Sequence, residues 1–184
     1  MRRGVVAAAV MALILVLPAM PVLADGGGHG GRTVELRDRC DPVTFDAAIG
    51  PGTCAPHDGE LVTFGTFLQF LNPVDFGHPK WLIKPEHAKI KAGDRLNVIV
   101  RGGEFHTFTE VAAFGPGCVP FINDALGLAG APAVADCNAA FAATGVGPGG
   151  TLSVTGLAPG THLFICLIHP WMRSTIEVRA GSDD

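Results

Sequence analysis

The chain has 184 residues, enough for one domain with a substantial core but not for several large ones. Its formal charge is −4, and residues 1–24 hold Arg2 and Arg3 but no acid, so loss of that segment takes the charge to −6. That balance excludes a broad phosphate-binding surface, and nucleic acid is not an expected partner.

Residues 1–24 have the layout of a secretory signal, with two arginines, an apolar run from Val5 to Leu17 and a small-residue end at Val22-Leu23-Ala24. The run is too short for a comfortable membrane span. Cleavage after Ala24 is expected, giving an exported chain, periplasmic or extracellular, with no stable span. All five cysteines lie downstream, where disulfides form and persist. Five is odd, so one thiol is left over. Cys40 and Cys54 flank one compact segment and Cys118 and Cys137 another, so local pairing is the simplest connectivity, and it leaves Cys166 free. Three of the four methionines fall in the signal, and only Met172 remains after export.

Asp25 to Gly31 is a glycine-rich tail carrying His29. Thr33 to Arg37 alternates as an edge strand would. Asp41 before Pro42 starts a helix that Gly50-Pro51-Gly52 stops. A second short helix is predicted from Phe64 to Leu71, because Phe64, Phe67, Leu68 and Leu71 share one face; Thr63 caps it, and the stripe reads as core packing. His57 and His78 lie in flanking loops without companions for a ligand set.

From Trp81 the pattern turns strand-like, over 81–84, 88–91, 96–100 and 105–111, with His87 on the surface. Cys118 to Cys137 and the alanine-rich 132–143 read as a stapled, partly helical insertion at about 113–150, ending in a Gly145–Gly150 hinge. Residues 151–155, 162–166 and 175–179 supply the last strands. Short strands with Gly/Pro punctuation indicate an all-β sandwich. The expected organisation is a signal (1–24), an N-terminal extension (25–80) and a sandwich domain (81–184) with short added helices in the extension and the insertion.

The chemistry concentrates in Cys166-Leu167-Ile168-His169-Pro170-Trp171-Met172, where thiolate, imidazole and thioether recur at three-residue steps after a strand. A turn between two strands can aim all three at one point. A second imidazole would complete a His₂Cys site with a weak axial Met, the set that selects copper and makes a blue electron-transfer centre. His106, within Gly102-Gly103-Glu104-Phe105-His106-Thr107-Phe108, is the candidate. Taken singly, a free Cys and a Met are most often plain core residues; the spacing, the thiol parity and His106 weigh against that reading. The exported part contains no His-x-His pair for further copper centres, so a copper oxidase or nitrite reductase is not expected, and the single loop cysteine excludes a two-copper CuA site.

Together with Lys89-Ile90-Lys91-Ala92-Gly93-Asp94-Arg95-Leu96, Pro159-Gly160-Thr161 and Met172 to Val178, these residues resemble the cupredoxins, the small blue copper proteins, over roughly 81–179. The ligand loop is similar to that of amicyanin, with Pro170 after the histidine; plastocyanins have a longer gap before the methionine. The resemblance implies a Greek-key β-sandwich with one type 1 copper near one end. His106, Cys166, His169 and Met172 would be the ligands, and Thr107 would tie the two ligand loops together. It implies a one-electron carrier, not an enzyme, meeting its redox-protein donor and acceptor transiently. The His169 ring edge would be the electron exit, and Leu167, Ile168, Pro170 and Trp171 are available as an apolar docking rim, the alternative being that Ile168 and Trp171 pack inward. The alternative is a copper delivery or sequestration protein on the same fold, although such proteins usually offer several exposed Met or His ligands. Gly102 to Phe105 departs from the usual Asn-rich approach to the first histidine.

Overall fold

The computed structural model describes residues 30–181; the expected signal, the glycine-rich tail through His29 and residues 182–184 lie outside the described residues. In chain order the strands are β1 (Gly31–Arg37), β2 (Leu82–Lys84), β3 (His87–Lys91), β4 (Arg95–Val100), β5 (His106–Thr107), β6 (Thr109–Val111), β7 (Gly145–Val146), β8 (Thr151–Val154), β9 (Gly160–Ile165) and β10 (Arg173–Arg179). They form two four-stranded sheets, ordered β2-β1-β4-β8 and β3-β10-β9-β6, and a separate β5-β7 pair. This is the all-β sandwich that the strand pattern predicts. Period-two alternation supplies the inner faces: Val34 and Leu36 from β1, Leu96, Val98 and Val100 from β4, and Ile176 and Val178 from β10 are all buried. Phe108 and Phe164 stack at 4.2 Å between ring centroids.

The strand expected at an edge is an interior one. β1 pairs antiparallel with β2 on one side and parallel with β4 on the other. Alternation reports one buried face and is silent on which backbone edges are paired. Residues 31–37 are therefore part of the sandwich, and the sheet crosses the boundary expected at 80/81. The predicted strand 105–111 divides at Phe108, since β5 pairs with β7 and β6 with β9. Gly145, expected to open a hinge, begins β7.

Among the described residues, four short helices, α1 (Pro42–Ala48), α2 (Phe64–Gln69), α3 (Pro120–Ala125) and α4 (Cys137–Thr144), sit outside the sheets. The Asp41 side chain caps α1 by accepting from the Thr44 N–H, and Thr63 caps α2 by accepting from Thr66. Disulfides join Cys40 to Cys54 and Cys118 to Cys137, leaving Cys166 free and buried. α1 and α2 are anchored by Phe45, Phe67 and Trp81, whose rings lie 4.8–5.9 Å apart. Burying Phe45 and Phe67 contributes up to about 3 kcal/mol each. The insertion covers the outer face of β9. Phe164 faces the main core, while Ile165 joins Val111 and Leu167 in a second cluster with Phe114 and Phe141. Among the described residues, no helix is long and apolar enough to cross a membrane.

Candidate metal centre

Cys166 follows the end of β9, and by strand parity its side chain shares the inward direction of Phe164. The chain then turns sharply: the Cys166 N–H donates to the Met172 carbonyl at 3.0 Å and the Met172 N–H to the His169 carbonyl at 2.9 Å. The turn carries His169 back over the thiol. β5 places His106 on the far side, and the Nδ1 atoms of His106 and His169 lie 3.7 and 3.8 Å from Cys166 Sγ. The three donor atoms are within 4.8 Å of one another, and all three residues are buried. With bonds of about 2.0 Å to nitrogen and 2.3 Å to sulfur, as at zinc, angles near ~120° between ligands give N-to-S separations of about 3.7 Å. The two N-to-S separations thus suit one small transition-metal ion bound by all three residues. Met172 is buried and belongs to the same core cluster as Cys166.

Each imidazole is backed by a buried carboxylate. His106 Nε2 lies 2.8 Å from Asp38 Oδ2, so its N–H donates there and Nδ1 is turned to the thiol. The Asp38 carboxylate also accepts from the N–H groups of Gly103 (2.9 Å), Glu104 (3.2 Å) and Cys40 (3.3 Å). His169 Nε2 lies 3.7 Å from Glu104 Oε2, the oxygen that accepts from the Trp81 indole N–H. A carboxylate behind a ligating histidine fixes the tautomer and raises the basicity of the ligand nitrogen. Sequence reasoning found neither acid. Glu104 precedes His106 by two residues, and its place next to a candidate ligand was the one available signal. Asp38 is 68 residues from His106, and only the interior position of β1 brings it there.

In the metal-free state these contacts set the charges. Burial opposes ionisation of Cys166, but the His106 and His169 imidazoles hold its thiol well below the ordinary range. Burial likewise opposes protonation of His106, and Asp38 and Cys166 outweigh it and push the imidazole up to about 10. Asp38 is held at about 2 against the cost of burial by His106 and the Gly103 and Glu104 N–H groups. Burial pushes Glu104 up. A site that stores a thiolate stabilised by protonated imidazole is poised to exchange that proton for a metal cation.

Thr107 links the two strands of the site. Its N–H points at Cys166 Sγ at 3.5 Å, and its hydroxyl accepts from the Leu167 N–H at 2.8 Å and from the Thr109 hydroxyl at 3.1 Å.

The residues expected to form a docking rim are covered. His169 is 2% exposed and Leu167 0%, Pro170 is buried, and Ile168 and Trp171 are half-buried. The two additions to the sandwich cause this. From the N-terminal side, Phe67 packs against His169 and Trp171, and the Trp171 ring fills the space where Gly77 lacks a side chain. From the insertion, the Cys118 N–H donates to the Leu167 carbonyl at 2.6 Å, and Gly117 is pressed against Leu167 and Pro170. Arg173 binds the Pro170 carbonyl at 2.7 Å and lies between the rings of Phe76 and Phe114, where the additions meet.

The other histidines lie elsewhere. His57 sits beside Cys40 and Cys54, whose sulfurs are committed to the disulfide. His78 is buried between Phe70 and Trp81, and burial lowers its pKa. His162 pairs with Glu110 at 2.6 Å at the surface, which raises its pKa. His87 is exposed.

A mostly antiparallel double sheet with two histidines and a buried thiol converging at one end is cupredoxin-like. No family model matches the chain, and no curated protein matches it. Among solved structures it is similar to a purple cupredoxin from Nitrosopumilus maritimus (11% identity, 59% of this chain and 94% of that one, TM-score 0.38). It is also similar to the oxidised plastocyanin of Dryopteris crassirhizoma (16%, 80% and 99%, TM-score 0.38). A third match is a Cu(I) amicyanin mutant (18%, 53% and 73%, TM-score 0.34). The metal reading rests on the donor geometry rather than on these likenesses.

Proposed function

We propose that the chain is an exported, mononuclear type 1 copper protein that carries single electrons between redox-protein partners, with His106, Cys166 and His169 as the strong ligands and Met172 as the weak axial one. The observation that carries this reading is the buried convergence of two imidazole Nδ1 atoms on the one free thiol, at 3.7 and 3.8 Å. A copper ion held there would supply a one-electron couple. The chain's own contribution is to keep the donors still. β5 and the β9 end hold His106 and Cys166, Thr107 ties them together, and Asp38 and Glu104 lock the ring orientations. The Thr107 N–H aimed at Sγ withdraws charge from the thiolate, and the burial of Met172 and Cys166 keeps water off the sulfur; both raise the reduction potential. The two disulfides suit an oxidising compartment.

Delivery or sequestration is the competing use of such a site. It is disfavoured because all four of the proposed ligands are buried, so that handing over the ion requires the ligand loop to open. Cyclic voltammetry of the copper-loaded chain separates the two. A carrier gives fast reversible cycling, with a lower potential in Met172→Gln, whereas sluggish irreversible waves together with very tight Cu(I) retention would contradict the carrier reading.

A further inference from the structure

The additions that cover the ligand loop do not seal it completely. Between them lies a cleft of about 470 Å³. α2 forms one wall with Phe64, Phe67 and Leu68, and α3 forms the facing wall with Phe121 and Ile122. His169 and Glu104 are at its floor, and among the described residues they are the only ionisable groups that line it. The mouth is apolar too: Phe121 is 63% exposed and Ile49 58%, with Leu68 and Phe105 also partly open to water. Isolated surface hydrophobics are ordinary, but four converging on one concavity are not.

We propose that this cleft binds a neutral aromatic small molecule bearing a hydroxyl group, of the phenol class, with its ring between α2 and α3 and its hydroxyl toward the Glu104–His169 floor. Volume comes first: small-molecule pockets are concave, mostly apolar, about 300–1,000 Å³, and carry a few convergent polar groups. Four phenylalanine rings line the walls, which favours a flat ring over an aliphatic chain of equal area. Among the described residues no lysine or arginine lines the cleft, so an anion would be desolvated with none of them to pair it. Shape decides against a protein. A standard interface buries about 800 Å² on each partner over a broad face, whereas the ionisable groups of this cleft, Glu104 and His169, are only 6% and 2% exposed and are withdrawn from such a face. Both additions supply walls of the cleft, α2 from the N-terminal extension and α3 from the insertion.

The proposal stands on the cleft's walls and not on copper, so it is tested with and without the metal. The probe is 1-naphthol, with 1-naphthalenesulfonate as its anionic counterpart, in equilibrium dialysis against the full chain. The expected result is saturable binding of one 1-naphthol per chain, at least tenfold weaker binding of the sulfonate, and at least tenfold loss of naphthol affinity in Leu68→Glu and in Phe121→Glu. Both substitutions are at the partly exposed mouth, and circular dichroism checks that the fold is kept. Absence of saturable binding, or binding indifferent to both substitutions, overturns the proposal. So does sedimentation showing a dimer that either substitution dissociates, which would make a second copy the occupant.

Discussion

Asp38 offers the sharpest perturbation of the site, because replacing it by asparagine keeps its size and removes only its charge and half of its accepting capacity. One carboxylate oxygen accepts from Gly103 and Cys40, and the other from Glu104 and His106. An amide has one accepting oxygen, so whichever way the new side chain turns, two buried N–H groups face its NH₂. Each buried donor left unpaired costs about 1–3 kcal/mol, so the metal-free chain is expected to lose about 2–6 kcal/mol in urea unfolding. Copper binding falls further, because the negative charge behind His106 is gone in either orientation and its acceptor is gone in one. Loss of such a partner costs about 10–100-fold in affinity, which is about 1.4–2.7 kcal/mol. Chelator competition at pH 7 measures the second effect independently of the first. Asp38→Asn with copper affinity within twofold of the parent chain would refute the claim that this carboxylate holds the ligand ring.

Three further outcomes follow from the same contacts. Gly102→Ala sets a methyl where the Asp38 carboxylate lies, so it is expected to weaken copper binding tenfold or more and to cost about 1–3 kcal/mol as overpacking; unchanged affinity by chelator competition would contradict the packing around Asp38. In the metal-free chain the Asp38 carboxyl sits at about 2 when folded, against an ordinary 3.8. A depressed acid stabilises above its unfolded pKa and loses that contribution as pH falls through the folded one, so about 2 kcal/mol disappears between roughly pH 5 and 2. Urea titrations across that window should show the loss in the parent chain and a smaller one in Asp38→Asn. Phe67→Ala removes the ring that covers His169 and Trp171 and is expected to cost about 3–5 kcal/mol. In stopped flow it should also speed oxidation of the reduced copper-loaded chain by a small inorganic oxidant severalfold, and an unchanged rate would mean that α2 does not limit access.

The sequence displays Cys166, His169 and Met172 because a single turn holds them, and local spacing survives without knowledge of the fold. His106 was legible one step further out, inside the strand-like run 105–111 upstream of the loop. The alternation of Val34 and Leu36 revealed a strand but not its neighbours, and with the neighbours went Asp38, which reaches His106 only because β1 lies between β2 and β4. The docking rim failed for a related reason. Leu167 and Pro170 are apolar whether they face a partner or the rest of the chain, and only the placement of Phe67 and Gly117 decides that they face inward. The stripe Phe64, Phe67, Leu68 and Leu71 read as core; Phe67 and Leu71 are buried, while Leu68 opens onto the cleft.

The central claim is that two imidazoles and one buried thiolate hold a single copper in trigonal surroundings, and visible absorption and EPR of the Cu(II)-loaded chain test it most directly. The expected result is one copper per chain, an intense visible thiolate-to-copper band lost in Cys166→Ser, and an EPR signal unlike that of tetragonal Cu(II). A colourless protein with an ordinary tetragonal signal would contradict it.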